Sequence, residues 1–280
     1  MNSAAVECSA VVLVPFTRPV RRALLVRRYK RFLVDVVLQD GLDQGQTVTA
    51  HTANTGAMTG LLRDGAPVLL TDHEGSGRRL RYEVEAIEVL EPHAAVGTHA
   101  AVGPHASLGR WVSVTTLAAN AFAQRAIEQC LIPELAGYAS VRREVAPSAR
   151  SRSRFDLLLE DVASPVGRAR CFVEVKSVTL RERSQALFPD AVTVRGRKHL
   201  DALARLVSPL RKLGKGERAV MLYVNKRAGC EAFRAAASID PRYASALRRA
   251  AKAGVEILCV NCNVDERGLS FAGRLRVDLT

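Results

Sequence analysis

No apolar run in this 280-residue chain approaches the ~18 residues that a membrane-spanning helix needs. A secretory signal is not expected either. The first fifteen residues include VVLVP, but Glu7 lies before it and no basic segment leads into it. Cysteines are few, six in all, at positions 8, 130, 171, 230, 259 and 262. Cys259-x-x-Cys262 has no second CxxC or CxxH pair to complete four zinc ligands, so free buried thiols in a reducing cytoplasm are expected. Acidic residues are also scarce. Asp+Glu number 28 against 41 Lys+Arg, a net charge of +13, and such a surplus favours polyanionic partners. The glycine-bearing loop TANTGAMTG lacks the lysine of a P-loop, and no compact nucleotide or sugar-phosphate motif appears elsewhere.

What is present begins with a hydrophobic fraction of 48%, enough for a genuine core and, at this length, two modest domains. Residues 23–38, ALLVRRYKRFLVDVVL, read as two apolar strands around a basic tip. There Arg27, Arg28, Lys30 and Arg31 interleave with Tyr29 and Phe32, a pattern that suits a nucleic-acid strand with phosphates on cations and bases on rings. An ordinary hairpin with one charged face would read the same way. QTVTAH (46–51) and RRLRYEVEAIEVL (78–90) alternate as further strands, with Asp64-Gly65 as a turn between them. Several short strands in about 80 residues predict an OB-like β-barrel domain over 1–90, with residues 1–19 as its lead-in. Residues 91–110, rich in Ala and Gly with histidines at 93, 99 and 105, read as a linker or insertion.

From Trp111 the pattern changes to alternating helix and strand. Helices are predicted over 115–131, 194–210 and after Asp240-Pro241, with strands at 138–145, 153–160, 170–178, 218–225 and 255–260. Within this half, SRFDLLLE carries Asp156, and RCFVEVKSV carries Glu174 and Lys176. Positions i and i+2 of a strand share a face, so Glu174 and Lys176 stand together, and pairing of the two strands brings Asp156 to them. Unpaired charges on a core strand cost several kcal/mol. Two carboxylates beside an ammonium suit a magnesium-assisted phosphodiesterase, with the carboxylates holding the hard cation and the lysine positioning water. A salt-bridged pair on a solvated sheet face is the alternative. The D…ExK spacing resembles the PD-(D/E)xK nuclease motif, and the element order of 111–280 matches that nuclease core. Arg195, Lys198 and His199, in the first turns of the 194–210 helix, are placed to grip phosphate.

Seven segments carry a wider resemblance: RYKRFLVDV (28–36), NTGAMTGLL (54–62), IPELAGY (132–138), SRFD (153–156), CFVEVKSVTL (171–180), FPDAVT (188–193) and RGRKHL (195–200). In these the chain resembles the sugar fermentation stimulation protein A family of prokaryotes. The resemblance implies an N-terminal OB-like domain joined to a PD-(D/E)xK nuclease-like α/β domain. It also implies DNA binding without marked sequence preference and a regulatory role in sugar (maltose) utilisation. The chain departs from the family at Thr52-Ala53, where Cys-Pro is usual, and at Arg125, where the helix before the nuclease core usually carries glutamate. Glu128, one turn later, or Glu144 is then expected to complete the metal-binding carboxylates with Asp156 and Glu174.

Three functions fit these residues. The first is a magnesium-dependent nuclease with Asp156, Glu174 and Lys176 as catalytic groups. The second is a DNA-binding regulator on the same scaffold, with Arg28, Tyr29, Lys30, Arg31, Arg154, Arg195, Lys198 and His199 as the contact surface. The third is a metal-dependent enzyme acting on a small phosphorylated metabolite. DNA binding ranks first among them. Oligomeric state is not legible.

Overall fold

In a computed structural model the protein is described over residues 11–89, 111–147, 154–161, 170–207 and 217–280. The expected linker at 91–110, Cys8 and the end of the helix predicted to 210 lie outside the described residues.

The first half comprises β1 (Val12–Pro15), β2 (Val20–Tyr29), β3 (Leu33–Leu38), β4 (Thr47–His51), β5 (Pro67–Asp72), β6 (Tyr82–Glu88) and β7 (Trp111–Ser113). Antiparallel pairing of β2 with β3 and β5, of β3 with β4 and of β5 with β6 leaves two free edges. A short parallel pairing of β4 with β6, Ala50 opposite Tyr82 and His51 opposite Glu83, joins them. The result is the closed five-stranded OB barrel that the alternation predicted, and closure removes exposed strand edges. Inward positions such as Leu25, Val34, Val36, Val68 and Val84 fill it. The β2–β3 connection is tight, with Lys30 (φ 48°) and Arg31 (φ 64°) both in the left-handed region. Hairpin turns of that kind usually take Asn-Gly. Here two exposed cations occupy the tip.

The second half runs α1 (Thr116–Glu128), β8 (Ser140–Val145), β9 (Phe155–Glu160), β10 (Cys171–Val178), β11 (Leu180–Glu182), β12 (Gln185–Phe188), α2 (Val194–Val207), β13 (Arg218–Asn225), β14 (Ala232–Ala235), α3 (Pro241–Lys252), β15 (Glu256–Asp265) and β16 (Gly268–Asp278). The strands form one mixed sheet in the order β11-β12-β14-β16-β15-β13-β10-β9-β8. Alternation along the central strands splits the core into two layers. Leu157, Val173, Val175, Val220 and Leu222 pack with Phe122 and Ala123 of α1, while Phe172, Met221 and Tyr223 pack with Leu203 of α2 and Leu247 of α3. Burial on both faces fits the near-continuous apolar runs of these strands. Phe155, although two residues before Leu157, joins the α2/α3 layer, its ring 5.6 Å from that of Phe172. Cys259 and Cys262 fall in opposite layers, both free, so the Cys-x-x-Cys spacing forms no metal knuckle.

The helices α2 and α3 are tied at their starts. Asp240 caps α3 by accepting from the Tyr243 N–H at 2.9 Å, as Asp-Pro predicted. It also accepts from Thr193 N–H (2.9 Å) and Arg197 (3.0 Å). Thr193 Oγ1 in turn accepts from the Gly196 N–H at the start of α2.

Two expected boundaries move. Residues 1–19 were expected as a lead-in to the barrel, but they contain β1, which pairs with β16 and extends the large sheet. Leu13 is buried there, and Gly268 makes room: at φ 141°, an added Cβ would stand 2.1 Å from Val14 O. Conversely, β7, expected in the nuclease-like part, pairs with β6 of the barrel. Trp111 then shares a core with Phe122 and Ile127 of α1, so barrel and α/β unit pack through common apolar side chains. Among the described residues, no helix is long and apolar enough to cross a membrane.

Candidate active site

A cleft of about 420 Å³ opens where the barrel meets the α/β unit. Its floor is the end of β10 beside the start of β9. Antiparallel pairing through Val173 and Leu157 brings Asp156 alongside Glu174, and Asp156, Glu174 and Lys176 all line the cleft, as the sequence predicted.

Glu174 is 1% exposed. Its Oε1 is bonded to both Lys176 Nζ and His199 Nδ1. Its Oε2 is buried and has no hydrogen-bond partner. Burial alone raises a carboxyl pKa. Here the hydrogen bond from His199 and the Lys176 charge outweigh it and hold Glu174 below the usual range. Arg195 Nε donates to His199 Nε2 at 3.4 Å. With Nε2 accepting, the imidazole proton lies on Nδ1, where it can be donated to Glu174.

Asp156 is held differently. Its Oδ2 accepts from the Val175 N–H and its Oδ1 from Asn120 Nδ2, both at 2.8 Å. Burial first, and the nearby Glu174 charge second, push its carboxyl above the usual range despite those two bonds. A buried carboxylate and a half-buried one with opposite shifts form a pair that a cation between them would relieve.

Part of the lining comes from the barrel. Asn54, Thr55 and Gly56 line the cleft, on a loop that the basic hairpin holds in place. Arg28 donates to Asn54 O (2.6 Å) and Gly56 O (2.9 Å). Asn54 spans its own turn, accepting from Gly56 N–H at 2.8 Å and donating to Val114 O at 2.9 Å. Asp190, from the α/β unit, accepts from Met58 N–H at 3.0 Å and lies against Gly56, where an added Cβ would stand 2.8 Å from its Oδ2.

The remaining expected residues separate. Glu128 sits at the exposed end of α1, bonded to Gln124. Glu144 is exposed on the edge strand β8 with φ 55°. Neither lines the cleft, so neither completes a carboxylate set, and Arg125 is likewise exposed. The α1 residue that reaches the acidic pair is Asn120, five positions before Arg125, which 3.6-residue periodicity places on a different face. Among the described residues, no group of three or more His, Cys, Asp or Glu is gathered for a metal. Arg28, expected at phosphate, has its guanidinium committed to loop carbonyls. Tyr29 donates to the buried Asp35 (3.1 Å), which also holds Arg27 and Thr49. His199 belongs to the Glu174 network. Lys30, Arg31, Arg154, Arg195 and Lys198 are exposed, and of these Arg195 lines the cleft.

Sequence reasoning missed Asn120, Asp190 and the cleft-lining role of residues 54–56. It also missed that Phe32, 43% exposed, stacks on His51 with ring planes 8° apart. Asn120 did leave a signal: with Thr116 it forms an i, i+4 polar pair on an otherwise Ala-rich helix.

Comparison with known proteins agrees with this two-part architecture. Residues 26–96 match a family model described as the SfsA N-terminal OB domain, and residues 117–268 match one described as the sugar fermentation stimulation protein RE domain. A sugar fermentation stimulation protein homolog from Paramagnetospirillum magneticum is 41% identical over 95% of this chain and 98% of its own. One from Rhodospirillum centenum is 43% identical over 94% and 98%. The solved structure of Pyrococcus furiosus SfsA in complex with Ca²⁺ superposes with a TM-score of 0.75 at 26% identity, covering 96% of this chain and all of that one. The chain belongs to the sugar fermentation stimulation protein family.

Proposed function

We propose that the cleft binds a divalent cation between Asp156 and Glu174 and acts on the phosphodiester backbone of DNA. The observation that carries this reading is Glu174: one carboxylate oxygen is held by Lys176 and His199, and the other is buried without a partner. An orphaned buried oxygen costs about 1–3 kcal/mol, and more when it is charged. A cation ligated there, with Asp156 as the second ligand, removes that cost. The oxygen-only donor set suits Mg²⁺ or Ca²⁺, and the Pyrococcus furiosus relative was solved with Ca²⁺. When bound, such a cation supplies charge stabilisation at a phosphoryl oxygen and a more acidic water.

The chain's own residues do the rest. Lys176, 15% exposed at its side chain, presents its ammonium to the cleft, where it orients a water or balances phosphate charge. His199 fixes the Glu174 rotamer, and Asn120 with the Val175 N–H fixes Asp156. Electrostatics favour a polyanion. The outer faces of α2 and α3 expose Arg195, Lys198, Arg205, Arg242, Arg248 and Lys252. The hairpin tip adds Lys30 and Arg31.

The test is cleavage of single- and double-stranded DNA with Mg²⁺ or Mn²⁺, against Lys176→Ala. Loss of cleavage in the variant supports the reading, and equal activity in both points to a contaminant. Protein that binds DNA and Ca²⁺ without turnover is the regulator on the same site. With about six phosphate contacts, DNA affinity falls ~10³-fold between 50 and 200 mM salt. The cleft volume also suits a small phosphorylated compound, and absent or salt-insensitive DNA binding would favour that second reading.

A further inference from the structure

We infer that the cleft takes a single unpaired DNA strand, an end, overhang or flap, and excludes the intact duplex. The inference rests on the reading of Asp156 and Glu174 as a phosphodiester site and adds what kind of strand reaches it.

Three observations lead there. First, the acidic pair and the barrel loop 54–56 line the same cleft. That loop is fastened by Arg28, Asn54 and Asp190 through five hydrogen bonds of 2.6–3.0 Å, so it is a fixed part of the lining. Second, the volume of about 420 Å³ is that of a small-molecule pocket. It admits a nucleotide-sized piece of one strand. A duplex would have to bring its second strand through the loop or give up a base pair, as enzymes that reach into a duplex do when they extrude a nucleotide.

Third, the mouth is apolar where a phosphate site alone would not need it. Leu117, at the start of α1, is 65% exposed, and Val192, just before α2, is 68% exposed. Both line the cleft, and Val194 is 54% exposed two residues on. Exposed apolar side chains gathered at one opening mark a binding surface. Unstacked bases present apolar faces that paired, stacked bases hide. Outside the cleft lining, the barrel carries a ring pair tied to the same loop by one backbone bond. Phe32 and His51 stack three residues before Asn54, and the Thr52 N–H bonded to Phe32 O joins that pair to the loop. A strand in the cleft therefore meets Leu117 and Val192 with its bases, and Lys176 and Arg195 with its phosphates.

The test measures affinity of the full chain, in Ca²⁺, for a labelled oligonucleotide, its blunt duplex and the same duplex with an overhang. Cleavage in Mg²⁺ is read on the same three. Wild type is expected to prefer the single strand and the overhang. Leu117→Ser and Val192→Ser, exposed positions whose folding is checked by Tm, are expected to lower the ratio of single-strand to duplex affinity roughly tenfold each through lost apolar burial against the base. Equal affinity of wild type for strand and blunt duplex overturns the inference, as does a loss in the variants that is the same for both. In either case cation-dependent binding or cleavage of any probe leaves the phosphodiester reading intact. No binding and no cleavage of any probe removes that reading and this inference together.

Discussion

Replacing Lys176 by methionine keeps the length and apolar stem of the side chain and removes only the charge. In the folded protein Glu174 then remains buried, its side chain 2% exposed, with His199 alone on Oε1 and nothing on Oε2. Removing one partner of a buried pair costs about 3–5 kcal/mol. Partial exposure of Lys176 and the surviving His199 hydrogen bond reduce this to about 2–3 kcal/mol. At about 2–4 °C per kcal/mol for a unit of this size, Tm should fall by roughly 4–12 °C at neutral pH. The pH dependence follows from the direction of the Glu174 shift. Its folded pKa lies below the usual value, so its stabilising contribution is present above the unfolded value of about 4.3 and is lost as pH falls through the folded one. The difference between wild type and Lys176→Met should therefore narrow in acid. Adding Glu174→Gln to Lys176→Met should restore most of the neutral-pH loss, since no buried charge is left to strand. Thermal unfolding of the three proteins in EDTA at pH 7 and in acid measures this. An unchanged Tm in Lys176→Met, or a deficit that persists in the double variant, would refute the account of Lys176 as countercharge to a buried carboxylate.

Asp156 has the opposite sign. Its raised pKa means that folding favours the protonated form, so its contribution is lost as pH rises through the folded value. Asp156→Asn should leave Tm unchanged or higher at neutral pH without metal, with Asn120 turning its amide to match, while Ca²⁺-induced stabilisation disappears in a thermal shift assay. Lys226 is fully buried, donates to Thr115 O at 2.7 Å, and burial pulls its pKa down to about 8 from 10.5. Stability should therefore rise between about pH 8 and 10 by up to about 3 kcal/mol, and Lys226→Met should flatten that rise in a Tm–pH profile. Gly56→Ala puts a Cβ 2.8 Å from Asp190 Oδ2. It should weaken DNA binding more than it lowers Tm, by filter binding and calorimetry on the same preparation. Gly268→Ala, at φ 141° and against Val14 O, should cost about 2–4 kcal/mol by detaching β1, read by thermal unfolding.

The core of the site was legible because a strand's period of two is strict. Glu174 and Lys176 had to share a face, and one antiparallel partner carrying Asp156 had to lie beside them. The barrel was legible for the same reason, through the alternation in 20–38 and 82–88. What stayed hidden depends on tertiary placement. His199 was seen as basic and near a helix start, both true, but its distance to Glu174 is set by how α2 crosses the sheet. Glu128 and Glu144 are carboxylates close in sequence to the site, but both are exposed and outside the cleft lining. Glu128 stands about 12 Å further along α1 than Asn120, exposed at the end of the helix and beyond the cleft. The strands β11, β12 and β14 are three or four residues long and left too few alternations to register. The pairing of β1 with β16 joins residues some 250 apart, beyond any local signal.

That last pairing changes what the barrel is. The polypeptide sets down one strand of the large sheet, leaves to wind the whole OB unit, and returns to finish the sheet it started. The small domain is thus an excursion within the larger one, secured on both flanks. Cutting the chain near residue 20 or near residue 111 would not release two finished halves. The first cut leaves β16 with an unsatisfied edge, and the second strips β7 from the barrel or Trp111 from the core it shares with α1. A hinge opening between the parts has to bend two crossings at once, which favours a cleft of fixed width over one that swings wide to admit its substrate.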